Sequence, residues 1–401
     1  MTRVATSTAY RQALQDLQRN QAEIARLQAG VGSGQRILKP SDDPAGASRV
    51  LDLTGTLGRL EQYATNARLA DQRLALEDST LEGVQELLVR VKELALAAGS
   101  GAHSAQTREA YRVEVRERLS ELLGLANVRD GNGDYLFAGY RAQIQPFASA
   151  AGGVSYHGDA GARELQVSDT RRVAAGDSGA EVFMRVPGGN GRFTVSAAAA
   201  NTGAGVLAAG SVEDVSAYTA HAYSIRFTGA ATFDVVDETS GVTVLAAQPF
   251  TDAATIAFDG ISTRITGQPA AGDRFDLAPG AAQPLFQTLQ DFIAALALEP
   301  TDAAATAQQA QALNHVIDSL DRGLDHVLEA RASVGARRSA LEAVETQNED
   351  LRFELEATRS QVRDLDMTAA IAALQQRISA LEAVQQSFVA VSRLSLFNFL
   401  G

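Results

Sequence analysis

From Thr301 to the C-terminus the chain contains no proline and only three glycines, Gly323, Gly335 and Gly401. These are the residues that most disfavour helix interiors, so the stretch is predicted to be helical throughout. Apolar residues recur there at alternating three- and four-residue steps: Leu313, Ile317, Leu320, Leu324 and Val327, then Ile371, Leu374, Ile378, Leu381, Val384, Phe388 and Val391. Such spacing draws a coiled-coil-like seam along one helix face. At the other end Tyr10, Leu14, Leu17, Ile24 and Val31 keep the same phase, with Gln21 and Gln28 at intervening seam positions. The N-terminal seam is therefore the weaker one and calls for a partner helix. Because the middle of the chain has a different character, the two ends are expected to pair around an inserted domain.

A pass along the chain gives the organisation. Residues 5–29 read as a first helix ended by Gly30, Gly32 and Gly34, followed by Pro40 and Pro44 around Ser41-Asp42-Asp43, where an N-cap is expected. Helical pattern runs from about Ala45 to Ala98, breaks at Gly99-Ser100-Gly101, and resumes from Ser104 to about Arg129 as a helical hairpin. The turn-rich Asp130-Gly131-Asn132-Gly133-Asp134 and the strand-formers Tyr135 to Tyr140 suggest a β-hairpin. Between about Pro146 and Pro284 the period falls to two, as in Tyr223-Ser224-Ile225-Arg226-Phe227. Helix returns at Leu285, with an interruption at Glu299-Pro300-Thr301. The predicted fold class is α+β and multidomain: paired N- and C-terminal coiled-coil-like helices, a helical bundle core, and an inserted β-rich domain. The corresponding parts are 1–45 with 360–401, 46–145 with 285–359, and 146–284. That architecture points to a filament subunit and away from an enzyme.

Composition narrows the classes further. Zero cysteines exclude disulfides and thiolate metal sites, as in a reducing cytoplasm or in a protein that leaves the cell without oxidative folding. A formal charge of -13, with Lys39 and Lys92 the only lysines, argues against nucleic acid, which needs clustered cations to displace counterions. No stretch approaches the ~18 apolar residues of a membrane span, and Met1 to Tyr10 has no apolar signal region. The C-terminal stripe lacks the lysine-rich polar face of an interfacial helix, so partner helices fit it better than a membrane surface.

Four motifs suggest chemistry, and each has a simpler reading. Gly176-Asp177-Ser178-Gly179 is similar to a serine-protease nucleophile segment. It has no supporting histidine or acid, and Ala180 stands where a second glycine belongs, so a turn is expected. Asp130, Asn132 and Asp134 start like a calcium loop, but Tyr135 takes the glycine position and Arg141 the bidentate glutamate position. Gly30-Val31-Gly32-Ser33-Gly34 follows no strand and precedes no Lys-Ser/Thr pair, so it reads as helix termination and not as a phosphate cradle. His315 and His326 share roughly one helix face without further ligands. No catalytic, cofactor-binding or metal-ligating residue is expected. An enzyme carried in the insert is a remote alternative, disfavoured by the absence of a His-Glu-x-x-His helix motif.

Three segments carry a family resemblance: Ser33-Gly34-Gln35-Arg36-Ile37-Leu38-Lys39-Pro40-Ser41-Asp42-Asp43-Pro44-Ala45-Gly46, then Asp130 through Tyr140, and the terminal Leu394-Ser395-Leu396-Phe397-Asn398-Phe399-Leu400-Gly401. They resemble the flagellin superfamily, and the Lys-Pro-Ser-Asp-Asp-Pro wording is closer to its hook–filament junction subunits than to flagellin, which is the alternative. The resemblance covers roughly 1–145 and 285–401. It implies that the terminal helices form an inner tube, the bundle a surrounding layer, and the insert the solvent face. It also implies export through the flagellar type III apparatus without a cleaved signal, to an extracellular place on the flagellum. Implied partners are other copies in a ring, a hook-associated neighbour on the hook side, flagellin on the filament side, and a cytoplasmic chaperone covering the C-terminal helix. The expected assembly surface is Leu14, Leu17 and Ile24 with Leu374, Ile378, Leu381, Phe388 and Val391.

Overall fold

The computed structural model describes residues 2–101, 103–150 and 152–400, with side chains described throughout that range except at 2–7, 9, 10, 13, 388 and 390–400. Among the described residues six α-helices carry the two ends of the chain: α1 (Thr2–Ser33), α2 (Pro44–Gly99), α3 (Ala105–Ala126), α4 (Leu285–Ala297), α5 (Ala303–Arg363) and α6 (Met367–Leu400). Three of their starts show the capping chemistry. The Asp43 carboxylate accepts the Gly46 amide at 2.9 Å ahead of Pro44, Ser104 Oγ accepts the Thr107 amide at 3.1 Å, and Asp302 accepts the Ala305 amide at 2.8 Å. The residues fall into two compact units, Met1–Thr65 with Val344–Gly401, and Asn66–Ala343. Helices α2 and α5 each contribute residues to both.

In the larger unit the buried face of α2 steps through Ala67, Ala70, Leu74, Leu81, Val84, Leu88, Val91 and Ala95, a strict three-four rhythm. Val316 is buried where the sequence pattern favoured its neighbour Ile317, and Leu320, Val327, Val334 and Leu341 continue that stripe on α5.

The segment between α3 and α4 contains fifteen short strands: β1 (Phe147–Ala150), β2 (Gly153–Tyr156), β3 (Glu164–Gln166), β4 (Arg172–Ala174), β5 (Val186–Pro187), β6 (Phe193–Ala197), β7 (Val206–Leu207), β8 (Ser211–Val212), β9 (Tyr223–Gly229), β10 (Thr232–Asp237), β11 (Val242–Pro249), β12 (Thr255–Phe258), β13 (Ile261–Thr266), β14 (Arg274–Pro279) and β15 (Ala282–Gln283). A five-stranded antiparallel sheet, β11-β10-β9-β14-β6, and a smaller one, β12-β13-β7 with β8 also on β13, share one core. Inward residues from both, including Phe193, Tyr223, Ile225, Phe227, Val235, Ile256, Ile265 and Phe275, alternate along their strands as a half-buried sheet requires. The chain enters and leaves this sandwich by the paired β5 and β15, where Pro187 faces Ala282.

Residues 147–185 lie outside that sandwich core. Phe147 and Phe183 are fully buried and meet each other, Phe137 and, from α4, Phe286, with ring centroids 5.0 to 5.9 Å apart. Asn127, at the end of α3, clips β1 in place: its side-chain amide accepts from the Phe147 amide and donates to the Phe147 carbonyl, both at 3.0 Å.

Three sequence-based expectations need correction. Helix α1 does not stop at Gly30. It continues through Gly32 and ends at Gly34, whose φ of 70° terminates the turn, because an interior glycine costs only about 1 kcal/mol and Gly30 is buried against Leu365. The proline-free C-terminal stretch is not one helix, since residues 364–366 separate α5 from α6. There Asp366 accepts the Ala369 amide at 3.0 Å and so starts α6 anew. The β-hairpin over 135–140 is absent, and only an isolated bridge links Arg129 to Tyr135. Tyr135, Leu136, Phe137 and Ala138 are all buried, where a two-sided strand would alternate. Their backbone groups bond instead to Val128, Ala142, Gly179 and Asp159.

Candidate assembly surface and helical joint

The first sequence segment that carried the resemblance folds into a joint within the smaller unit. Gly34 and Asp364 bring the end of α1 and the end of α5 together through an antiparallel bridge, Gln35 to Asp364. The Arg36 amide donates to the Arg363 carbonyl at 2.8 Å and the Leu365 amide to the Gly34 carbonyl at 2.9 Å. The Arg36 guanidinium adds a bond to the Val362 carbonyl at 2.8 Å and lies 3.6 Å from Asp43. Asp42 does not cap α2 as Asp43 does. Its carboxylate gathers the Leu38 and Lys39 amides at 3.2 and 2.9 Å and faces Arg26 at 3.5 Å. The Ser-Asp-Asp-Pro wording thus has a division of labour: Asp42 closes the turn, and Asp43 with Pro44 starts the helix. Gly46 is required there, because a Cβ would sit 2.5 Å from the Asp43 carboxylate and 2.7 Å from Ile37.

Asp364 completes the joint. Ser360 Oγ and Arg363 Nε donate to its carboxylate at 2.7 and 2.8 Å, and these bonds hold its pKa below the ordinary carboxylate value. The sequence reading missed Arg36 and Asp364, and the turn-closing role of Asp42, as the groups that build the joint. The one local hint was the Asp364-Leu365-Asp366 triplet, whose two short acids favour helix termini but also fit an exposed helix turn, so it does not mark the break by itself.

Beyond the joint, α1 packs on α6. Ile24 and Ala370 are buried, and Glu23 pairs with Arg377 at 2.9 Å. Of the sequence-predicted seam, Ile24 is buried, Leu17, Leu374 and Leu381 are half-buried, and Leu14 and Ile378 are exposed. The side chains of Phe388 and Val391 lie outside the described residues, as does that of Tyr10. Part of the stripe is therefore used within the chain, while Leu14, Ile371 and Ile378 still face outward. Two further exposed apolar side chains of this unit, Leu51 at 73% and Phe353 at 76%, lie off the heptad seam and had no periodic signal to mark them.

The motifs suggestive of chemistry are structural. Asp130 is buried and its carboxylate meets the Arg73 guanidinium at 2.6 Å, while its other oxygen accepts the Asn132 and Asp134 amides at 2.9 and 3.0 Å. The group that would lead a calcium loop is thus committed to a protein cation. Gly179 donates to the Phe137 carbonyl at 2.8 Å, and a Cβ there would lie 2.6 Å from the Phe147 ring, so packing explains its lack of a side chain. His326 bonds the Glu181 carbonyl at 2.8 Å, and no bond joins it to Ser178 among those described. Among the described residues no group of three or more His, Asp or Glu is arranged to hold a metal, and no helix is long and apolar enough to cross a membrane.

Comparison with known proteins agrees with this geometry. The family model for the bacterial flagellin N-terminal helical region matches residues 4–142, and that for the D2-like domain of flagellar hook-associated protein 1 matches residues 196–279, within the sandwich. Flagellar hook-associated protein 3 of Salmonella typhimurium is 34% identical over 184 residues, a match spanning 46% of this chain and 57% of that protein. The protein of the same name from Escherichia coli is 24% identical over 400 residues, 99% of each chain. The crystal structure of flagellar hook-associated protein 3 from Legionella pneumophila superposes with a TM-score of 0.73 at 30% identity, covering 77% of this chain and 98% of that one. With that relative covered almost completely and the helical joint, bundle and sandwich in place, the chain belongs to the flagellar hook-associated protein 3 family, within the flagellin superfamily.

Proposed function

We propose that this protein is a structural adaptor of the bacterial flagellum that joins hook to filament and is needed for motility. The observation that carries the reading is the match to hook-associated protein 3 along the whole chain, where a bulk flagellin would be the alternative. Its work is mechanical. Copies meet through heterologous contacts that close a ring, with a hook-associated neighbour on the hook side and flagellin on the filament side. The three-part division by layer belongs to the same proposal: terminal helices innermost, bundle around them, sandwich outermost. The assembly surface is the α1–α6 stripe of Leu14, Leu17, Ile24, Leu374, Ile378, Leu381, Phe388 and Val391, extended by Ile371 and by Leu51 and Phe353. Apolar side chains left facing water on a soluble subunit are what an interface later covers. Before assembly a cytoplasmic export chaperone covers α6, and the chain leaves the cell through the flagellar type III route without a cleaved signal. No catalytic step is assigned to it.

Deleting the gene tests this reading. The account expects cells that keep hooks, lose filaments and release flagellin monomers into the medium, with recovery on complementation. Cells that keep normal filaments without this protein would overturn it.

A further inference from the structure

In the buried three-four rhythm of α2, one position breaks the apolar run: between Leu74 and Leu81 stands Glu77, fully buried. One of its carboxyl oxygens accepts the Asp177 amide at 3.1 Å, and the other, Oε2, has no hydrogen-bond partner. A carboxylate in that setting would leave a charge away from water with half its acceptor capacity unused, which is strongly unfavourable. The surrounding charges do not relieve it. Arg73, one turn earlier on α2, is committed to Asp130 and to the carbonyls of Ala175 and Leu136. From α5, Arg337 pairs with the Asp177 carboxylate, while Arg331 and Arg338 pair with Asp78 and Asp71 of α2. The group facing Glu77 across the 175–178 segment is therefore a second acid, Asp177, already balanced by its own arginine.

We propose that Glu77 is held as the neutral acid, its proton turned toward the Asp177 carboxylate, and that this single proton latches residues 175–178 between α2 and α5. The cluster then holds one proton, one carboxylate and one guanidinium, and is electrically balanced. Burial first, and the Asp177 charge second, push the Glu77 carboxyl up to about 8, although Arg337 and the Asp177 amide pull the other way. The sign follows from linkage. The folded chain keeps a proton that the unfolded chain gives up at the ordinary glutamate value of 4.5. The latch's contribution is fully present below that value, declines as pH rises between the two, and is gone above about 8. Ordinary carboxylates titrate below this window. The measurement is a difference between variants, so that titrations common to both cancel.

The test compares wild type, Glu77→Gln and Asp177→Asn by urea unfolding from pH 5.5 to 9. Glutamine keeps the neutral shape, so its folding constant should stay flat where that of wild type falls, relative to it, by up to about tenfold per pH unit. Asp177→Asn removes the facing negative charge and should move the wild-type decline to lower pH. Infrared spectra at pH 6.5 should show the carbonyl band of a buried protonated carboxyl, absent from Glu77→Gln. A Glu77→Gln variant with the same pH dependence as wild type, or no such band in wild type, would overturn the proposal. Should Glu77→Gln fail to fold, the infrared band and the Asp177→Asn shift still decide the matter.

Discussion

Cutting the sandwich away at two different places separates what the helices need from what they merely carry. The wide deletion joins Gln145 to Leu285, and the narrow one joins Pro187 to Ala282. The narrow junction follows the β5–β15 pairing, which already brings those residues together. It also spares residues 147–185. The wide deletion removes Phe147 and Phe183, both fully buried and both packed on Phe286 of α4. Losing a buried Phe costs about 3–5 kcal/mol, so the pair amounts to roughly 6–10, comparable to the whole stability of a typical domain, about 5–15. Loss of the Arg337–Asp177 pair and of the Arg73 bond to Ala175 adds to this. Exposing Gln311, which accepts from and donates to the Leu207 backbone at 2.7 and 3.0 Å, costs the narrow variant little, because water replaces both bonds. Thermal and urea unfolding followed by far-ultraviolet circular dichroism should show one cooperative helical transition in the narrow variant and none in the wide one. A wide variant that unfolds cooperatively within about 2 kcal/mol of the narrow one would refute the reasoning. That result would mean the aromatic cluster contributes far less than its burial implies.

Replacing Asp130 with Ala should cost about 3–5 kcal/mol in urea unfolding, since it leaves the Arg73 guanidinium buried without its partner, whereas replacing both with Leu should cost less than the two single changes summed. Calcium should leave the wild-type melting temperature unchanged, and a calcium-dependent rise would return Asp130 to the role of a ligand. Gly34→Ala forces a side chain into the left-handed conformation at the joint, an expected penalty of about 1–2 kcal/mol that should appear as faster protease cleavage within residues 34–43. Ile371→Glu with Ile378→Glu changes side chains that face outward in the single chain, so the monomer's stability should move by less than about 1 kcal/mol while filaments are lost. Retained filaments would remove α6 from the proposed surface.

How much of this was legible in the sequence depended on whether the deciding contact was local. The starts of α2 and α3 were readable because Asp43-Pro44 and Ser104 act on amides only three residues away. The alternating strand β9 was readable because a two-residue period reports burial directly. The break between α5 and α6 was not, because Asp364 and Asp366 also suit a solvent-facing helix turn, and the bonds to Gly34 and Arg36 come from the far end of the chain. Tyr135 to Phe137 read as a strand because aromatic residues favour sheets. The structure buries them consecutively and satisfies their backbone at scattered partners, Ala142, Val128 and, about forty residues downstream, Gly179. Ile24, Leu374 and Leu381 enter the proposed surface by phase, whereas Phe353 and Leu51 belong to no seam and their exposure could be seen only once the helices had been packed.

The central claim, that this subunit sits between hook and filament, is most directly tested by locating it on intact flagella. A small epitope inserted in the exposed turn at residues 238–241 of the sandwich, where the strands β10 and β11 meet, can be labelled with gold and viewed on detached flagella carrying their hooks. The account predicts one narrow band of label where the curved hook gives way to the filament. Label spread along the filament would contradict it and make the protein a flagellin.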